Sequence, residues 1–110
     1  MGMITINAAK AASIAKQPPT SVTRRQFALE LLAQGIVTAE EAVALAARAE
    51  PPAMVENFIA SLAEFEQAVA RIDMAADSYA FDNALLKALF AALGKSEDDR
   101  SAFFVSASGR

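Results

Sequence analysis

The chain has 110 residues, 27 of them alanine, a net charge of −3, and neither cysteine nor histidine. That length fits one domain with a modest core. The missing residue types exclude disulfides, thiolate or imidazole metal ligands and every triad with a histidine base, and charges interrupt each apolar run well short of the ~20 residues of a membrane span.

The alanines make a helical composition rather than a greasy one. The charge is unevenly spread. Residues 1–36 hold Lys10, Lys16, Arg24 and Arg25 against Glu30, whereas residues 37–110 hold six basic and twelve acidic side chains. A basic head this sparse is no nucleic-acid footprint, so no direct nucleic-acid contact is expected. The opening "MGMITINAAK" has its first lysine after the apolar residues, the reverse of a secretory signal, and Ile6 stands where a myristoylation signal needs Ser or Thr. Synthesis in a host cytoplasm and no membrane partner are the expectations.

In chain order, "MITIN" alternates Ile4 and Ile6 with Thr5, as a short strand does. "AAKAASIAK", Ala8 to Lys16, reads as a short helix. "QPPTS" ends it, because each proline lacks an N–H donor and disfavours helix in the residue before it. Residues 1–21 are thus an extended arm with a proline linker, and residues 22–110 a helical body. The body opens at Thr23, which forms a T-x-x-Q capping box with Gln26; Phe27, Leu31 and Leu32 line one face, and Gly35 closes the helix in a left-handed cap. Thr38 and Glu41 make a second box, with Val43, Ala46 and Ala47 expected to face the core.

Pro51 and Pro52 stop that helix and start another. Val55, Phe58, Ile59, Leu62, Phe65, Val69 and Ile72 then recur at three- and four-residue steps, which predicts one long central helix over Pro52–Ile72 with Phe58, Leu62 and Phe65 in the core. "DMAADSYAFDN" is a bend. Asp82 or Asn83 caps the helix "ALLKALFAAL", which Gly94 ends, and Ser96 with Asp99 caps a last short helix carrying Phe103, Phe104 and Val105. The fold class is all-α, a small bundle of helical hairpins around one long central helix with an extended N-terminal arm.

Candidate sites are few. "TRRQFALELLAQGIVTAEEA" has the outline of a DNA-reading helix-turn-helix, but Glu40 and Glu41 at the head of its second helix would face phosphates. The same pair suits a helix N-terminus, so a packed hairpin is expected. Asp73, Asp77 and Asp82 read as a solvated acidic face rather than a metal site, since no histidine or calcium-loop glycine accompanies them. Tyr79 has no partner in sequence to make it an acid. No cofactor is implied. The groups singled out for partner binding are Ile4, Ile6 and Ile14 on the arm, to be laid on a sheet edge or in an apolar groove of a neighbouring chain or folded back on the body, and Arg24 and Arg25, which hold a partner or the acidic stretch Asp73–Asp82.

The run "TRRQFALELLAQGIVTAEEAVALA", followed by "ARIDMAADSYAFD", "NALLKALFAALGKSEDD" and "AFF", resembles a family of small proteins encoded by tailed bacteriophages and prophages near tail and tail-fibre genes. The likeness spans Thr23 to about Phe104 and rests on the T-R-R-Q head, the glycine turn, the aromatic before a helix ending in L-G and the closing Asp/Phe pair. The chain departs at Met74, often tryptophan in that family, and at Asn83–Ala84, often His-Pro, so no site built on those groups carries over. The opening "MITINAAKAASIAK" is similar to the start of small tail-region proteins. The resemblance implies context: a non-catalytic structural or adaptor protein of a tail that binds another phage structural protein or a second copy of itself, and resides in the virion if structural. A tail or fibre assembly chaperone, or a small acidic inhibitor of a host protein, are the alternatives it leaves open.

Overall fold

A computed structural model describes residues 18–110. The strand expected in "MITIN", the helix expected over Ala8–Lys16, and Ile4, Ile6 and Ile14 lie outside the described residues. The rest is mostly helical, with six helices and a two-stranded ribbon in the order β1 (Ser21–Thr23), α1 (Arg24–Ala33), α2 (Ala39–Arg48), α3 (Ala53–Ala60), α4 (Glu64–Met74), β2 (Ser78–Ala80), α5 (Ala84–Ala92) and α6 (Glu97–Ala107).

Local chemistry starts and stops these helices. Thr23, Thr38 and Ser96 each accept from the backbone N–H three residues on, and Gln26, Glu41 and Asp99 return the bond to the cap's own N–H, which completes three capping boxes. Asn83 rather than Asp82 caps α5, its Oδ1 accepting from Leu86 N at 3.1 Å. Gly35 and Gly94 take φ of +71° and +76°. At each glycine the following residue's N–H closes on a carbonyl five residues back, Ile36 to Leu31 at 3.0 Å and Lys95 to Phe90 at 2.9 Å, so both ends are Schellman turns. Glu41 does more than cap. Its second carboxylate oxygen accepts from Ala53 N at 2.8 Å, so one side chain holds the starts of both α2 and α3. These N–H donors hold its carboxyl below the usual glutamate range.

The core centres on Phe27 of α1. Its ring meets Tyr79 edge-on at 5.0 Å, Phe103 at 4.9 Å and Phe104 at 6.2 Å, while Phe90 stands edge-on to Phe103 at 5.2 Å. Leu31, Leu45, Val55, Ile59, Met74, Leu86 and Leu89 complete it. The ribbon is antiparallel and pairs Val22 with Tyr79, both buried, between exposed neighbours. It joins the head of the body to the segment read from sequence as a bend, and Ser21, placed at the end of the linker, is its first residue.

Three expectations fail here. The single helix over Pro52–Ile72 is two helices, broken at Ser61–Ala63. The Ser61 hydroxyl donates to Phe58 O at 2.6 Å, competing for a carbonyl that the next turn needs, and Gln67 Nε2 donates to Leu62 O at 2.8 Å and so satisfies the broken turn from outside. Phe65 is not core: it is 79% exposed, Phe58 and Leu62 are only half-buried, and α4 buries Ala70 and Met74 instead. On α2 the buried side chains are Ala42 and Leu45; Ala46 packs against the core as expected, but Val43 and Ala47 face outward.

Candidate partner-binding surface

Arg24 is anchored inside the molecule. Its guanidinium donates to Leu45 O at 3.0 Å and Ala46 O at 3.4 Å in the last turn of α2, and to Ala75 O at 3.3 Å and Ala76 O at 3.0 Å just past α4. It also lies 3.5 Å from Asp77 Oδ1, so of the two roles read from sequence it fills the acidic-stretch one within its own chain. A cation in the first turn of α1 is slightly unfavourable there; at the carbonyl ends of two other helices it is well placed. Arg25, its neighbour, is exposed.

Glu30 and Tyr79 are committed in the same way, whereas buried Arg100 lies over the Phe81 ring at 4.4 Å and its Nε has no hydrogen-bond partner among the described residues. Glu30 is buried and its carboxylate accepts from Gln34 Nε2 at 2.7 Å, Ser106 Oγ at 2.8 Å and Arg110 Nε at 2.9 Å. Burial pushes its pKa up, but these three donors together outweigh burial and leave it below the ordinary glutamate value. Sequence reasoning passed over Glu30. The signal was its position three residues after Phe27 and one before Leu31, on the inward stripe of α1. The Tyr79 hydroxyl donates to Met74 O at 2.8 Å, and burial raises its pKa far above the usual phenol value, with nearby Arg24 opposing weakly. The aspartates separate. Asp73 accepts from Asn83 Nδ2 at 3.2 Å, Asp77 faces Arg24, and Asp82 is exposed. Among the described residues no three carboxylates gather where they would hold a metal ion, and no helix is long and apolar enough to cross a membrane.

What the fold leaves open is apolar. A groove of about 320 Å³ between α1 and α2 is lined by Ala28, Leu29, Leu32, Val43, Ala46 and Ala47, with Arg25 beside them. Val43 there is 61% exposed. A second groove, about 250 Å³, is lined by Phe58 and Leu62 from α3, Phe65, Glu66, Val69 and Asp73 from α4, and Ala84, Leu85 and Ala88 from α5. Four of the periodic apolar residues that predicted a central helix, Phe58, Leu62, Phe65 and Val69, therefore line an uncovered groove, while Val55 and Ile59 are core. Arg25 thus borders one groove, and Arg24 borders neither. No protein-family model, no curated protein and no solved structure matches the chain.

Proposed function

We propose that the protein is a non-catalytic adaptor of a phage tail that binds a larger virion protein. The observation that carries the reading is the exposure of Val43, Phe65 and Val69, which line two apolar grooves on a small body. Large apolar side chains clustered in the open mark interaction surfaces more often than isolated ones do. Arg24, Glu30 and Tyr79 are each satisfied by groups of the same chain, and among the described residues the charged groups lining the two grooves are Arg25 on one and Glu66 and Asp73 on the other. The likeness of Thr23–Phe104 to tail-region phage proteins supplies the biological setting, with synthesis in the host cytoplasm and residence in the particle. The partner, another phage structural protein, docks on the α1–α2 groove, where Arg25 adds a charge at the edge of an apolar strip. Mass spectrometry of purified virions tests this. Recovery of the chain in fixed proportion to a tail protein supports the adaptor, and absence from particles made in its presence removes it.

The charge of residues 37–110, twelve acidic against six basic side chains, favours a second reading as an inhibitor that presents an acidic surface to a basic groove of a host protein. Pull-down from infected cells separates the two, since a host protein captured in a salt-sensitive complex supports the inhibitor and a tail or fibre protein does not.

A further inference from the structure

We propose that the exposed face of α4 is a two-fold interface on which a second copy of this chain docks, α4 packing antiparallel against its own image. This goes beyond the adaptor reading and stands whichever protein the α1–α2 groove binds.

Phe65, Ala68, Val69 and Ile72 follow i, i+3, i+4 and i+7 spacing and so form one stripe along α4. All four are exposed, Ile72 to 71%. Of the six large apolar side chains left exposed among the described residues, three lie on this stripe. The helix meets its own body through Ala70 and Met74, on the other side. Intramolecular packing therefore makes little use of the stripe.

The charges beside it select the partner and its direction. Glu64 and Arg71 immediately precede Phe65 and Ile72, seven positions apart, and fall on the same flank of the stripe. Glu66 and Asp73 fall on the opposite flank and line the groove toward α5, where Asp73 accepts from Asn83. Parallel packing of two α4 helices would turn unlike flanks together and bring Glu64 beside Glu66 of the second copy, acid against acid. Antiparallel packing about a two-fold axis turns each flank toward its own image, so Glu64 falls beside Arg71 of the second copy, and the symmetry makes the pair twice. The acidic first turn of each α4 also comes to lie along the basic last turn of the other, which opposes the helix dipoles. Both groups have capacity for this. Glu64 has no ion-pair partner among the described residues, and Arg71 engages Glu56 through Nη1 at 3.0 Å. One helix face against its copy lies at the small end of specific interfaces, below about 1,200 Å². A weak dimer is therefore expected, half-dissociated at roughly 10–100 μM.

Sedimentation velocity of the purified full-length chain between about 1 and 500 μM reads this equilibrium. The parent is expected to pass from monomer to dimer and to stop there, because a two-fold contact closes on itself. Phe65→Asp is expected to weaken the dimer at least about tenfold, since the symmetry counts the lost ring twice. Val43→Asp, on the α1–α2 groove, is expected to leave it unchanged. Glu64→Arg and Arg71→Glu, each alone, are expected to weaken it about tenfold, because each turns both pairs into repulsions. Mixed in equal amounts the two variants are expected to recover parental affinity, each copy carrying the charge that the other has lost. A chain that stays monomeric throughout, equal losses from Phe65→Asp and Val43→Asp, assembly beyond the dimer, or a mixture that associates no better than its components overturns the proposal. Absence of the protein from virions, which removes the adaptor, leaves this result untouched.

Discussion

Glu30 and Arg110 are 80 positions apart in the chain and 2.9 Å apart in space, and the bond between them ties the first helix of the body to the residues after the last. Ser106 and Gln34 add two further donors to the same carboxylate. Because the fold favours the charged form, the folded-state pKa lies below the ordinary value of 4.5. The stabilisation is therefore fully present above the unfolded-state value and is lost as pH falls through the folded one. The melting temperature of the parent is expected to fall as pH falls below about 4.5. Glu30→Gln is expected to cost about 1–3 kcal/mol at neutral pH, since one amide cannot accept all three donors as a carboxylate does, and to flatten the acid limb. An acid limb as steep in the variant as in the parent assigns the pH dependence to other carboxylates.

Phe27 and Phe65 look alike in sequence, each a phenylalanine on an apolar helical stripe, and they separate in the structure. Phe27 is fully buried among four aromatic rings, and Phe65 is 79% exposed. Phe27→Ala is expected to cost about 3–5 kcal/mol, enough to unfold much of a domain this small at ambient temperature. Phe65→Ala is expected to change stability by no more than about 0.5 kcal/mol. Denaturant titration of the two variants checks the contrast.

That contrast also marks what a single sequence discloses. The capping boxes at Thr23, Thr38 and Ser96 and the closures at Gly35 and Gly94 were legible because each depends on residues within one turn of itself. The periodicity of Val55 to Ile72 correctly indicated helix, but the residues fall on two helices rather than on one continuous face. Periodicity is silent on whether another element covers a helical face, and here Phe65 and Ile72 remain open. Nor did it register Ser61, whose hydroxyl competes for a backbone carbonyl without disturbing the spacing of its neighbours. The ribbon of Ser21–Thr23 with Ser78–Ala80 was beyond reach for a different reason. Two three-residue strands have almost no propensity of their own, and their pairing is set by the core that holds Val22 against Tyr79. The candidate surface was legible only in part: Arg25 was singled out and borders a groove, but the grooves themselves come from tertiary packing.

Two turns are poised in opposite senses. Gly35 has φ of +71° and no heavy atom within 4 Å of the position a Cβ would take, so a substitution there is felt by the backbone alone. Gly35→Val is expected to cost on the order of 1–2 kcal/mol. Ala49, after α2, holds φ of +55° with a side chain in place. Ala49→Gly relieves that strain at the cost of a looser unfolded chain, for a net gain of about 0.5–1 kcal/mol. Thermal melts of the two variants are expected to move in opposite directions from the parent.

Arg24 and Arg25 are adjacent, equally charged and nearly opposite in role. The Arg24 side chain is 17% exposed and holds carbonyls of two helix ends, Leu45 and Ala46 on one side, Ala75 and Ala76 on the other. Lysine has no planar fork with which to span both sets. Arg24→Lys is therefore expected to be destabilising, by about 1–3 kcal/mol, because charge-assisted bonds to carbonyls are lost and partly buried acceptors are left unpaired. Arg25→Ala removes an exposed side chain beside the α1–α2 groove and is expected to change stability by less than about 0.5 kcal/mol. Binding assays on the same pair invert the ranking. If the α1–α2 groove is the docking site, Arg25→Ala weakens capture of the tail protein and makes what remains less sensitive to salt, whereas Arg24→Lys, measured below its melting temperature, leaves affinity at the parental level. Equal loss of affinity in both variants places the partner elsewhere on the body.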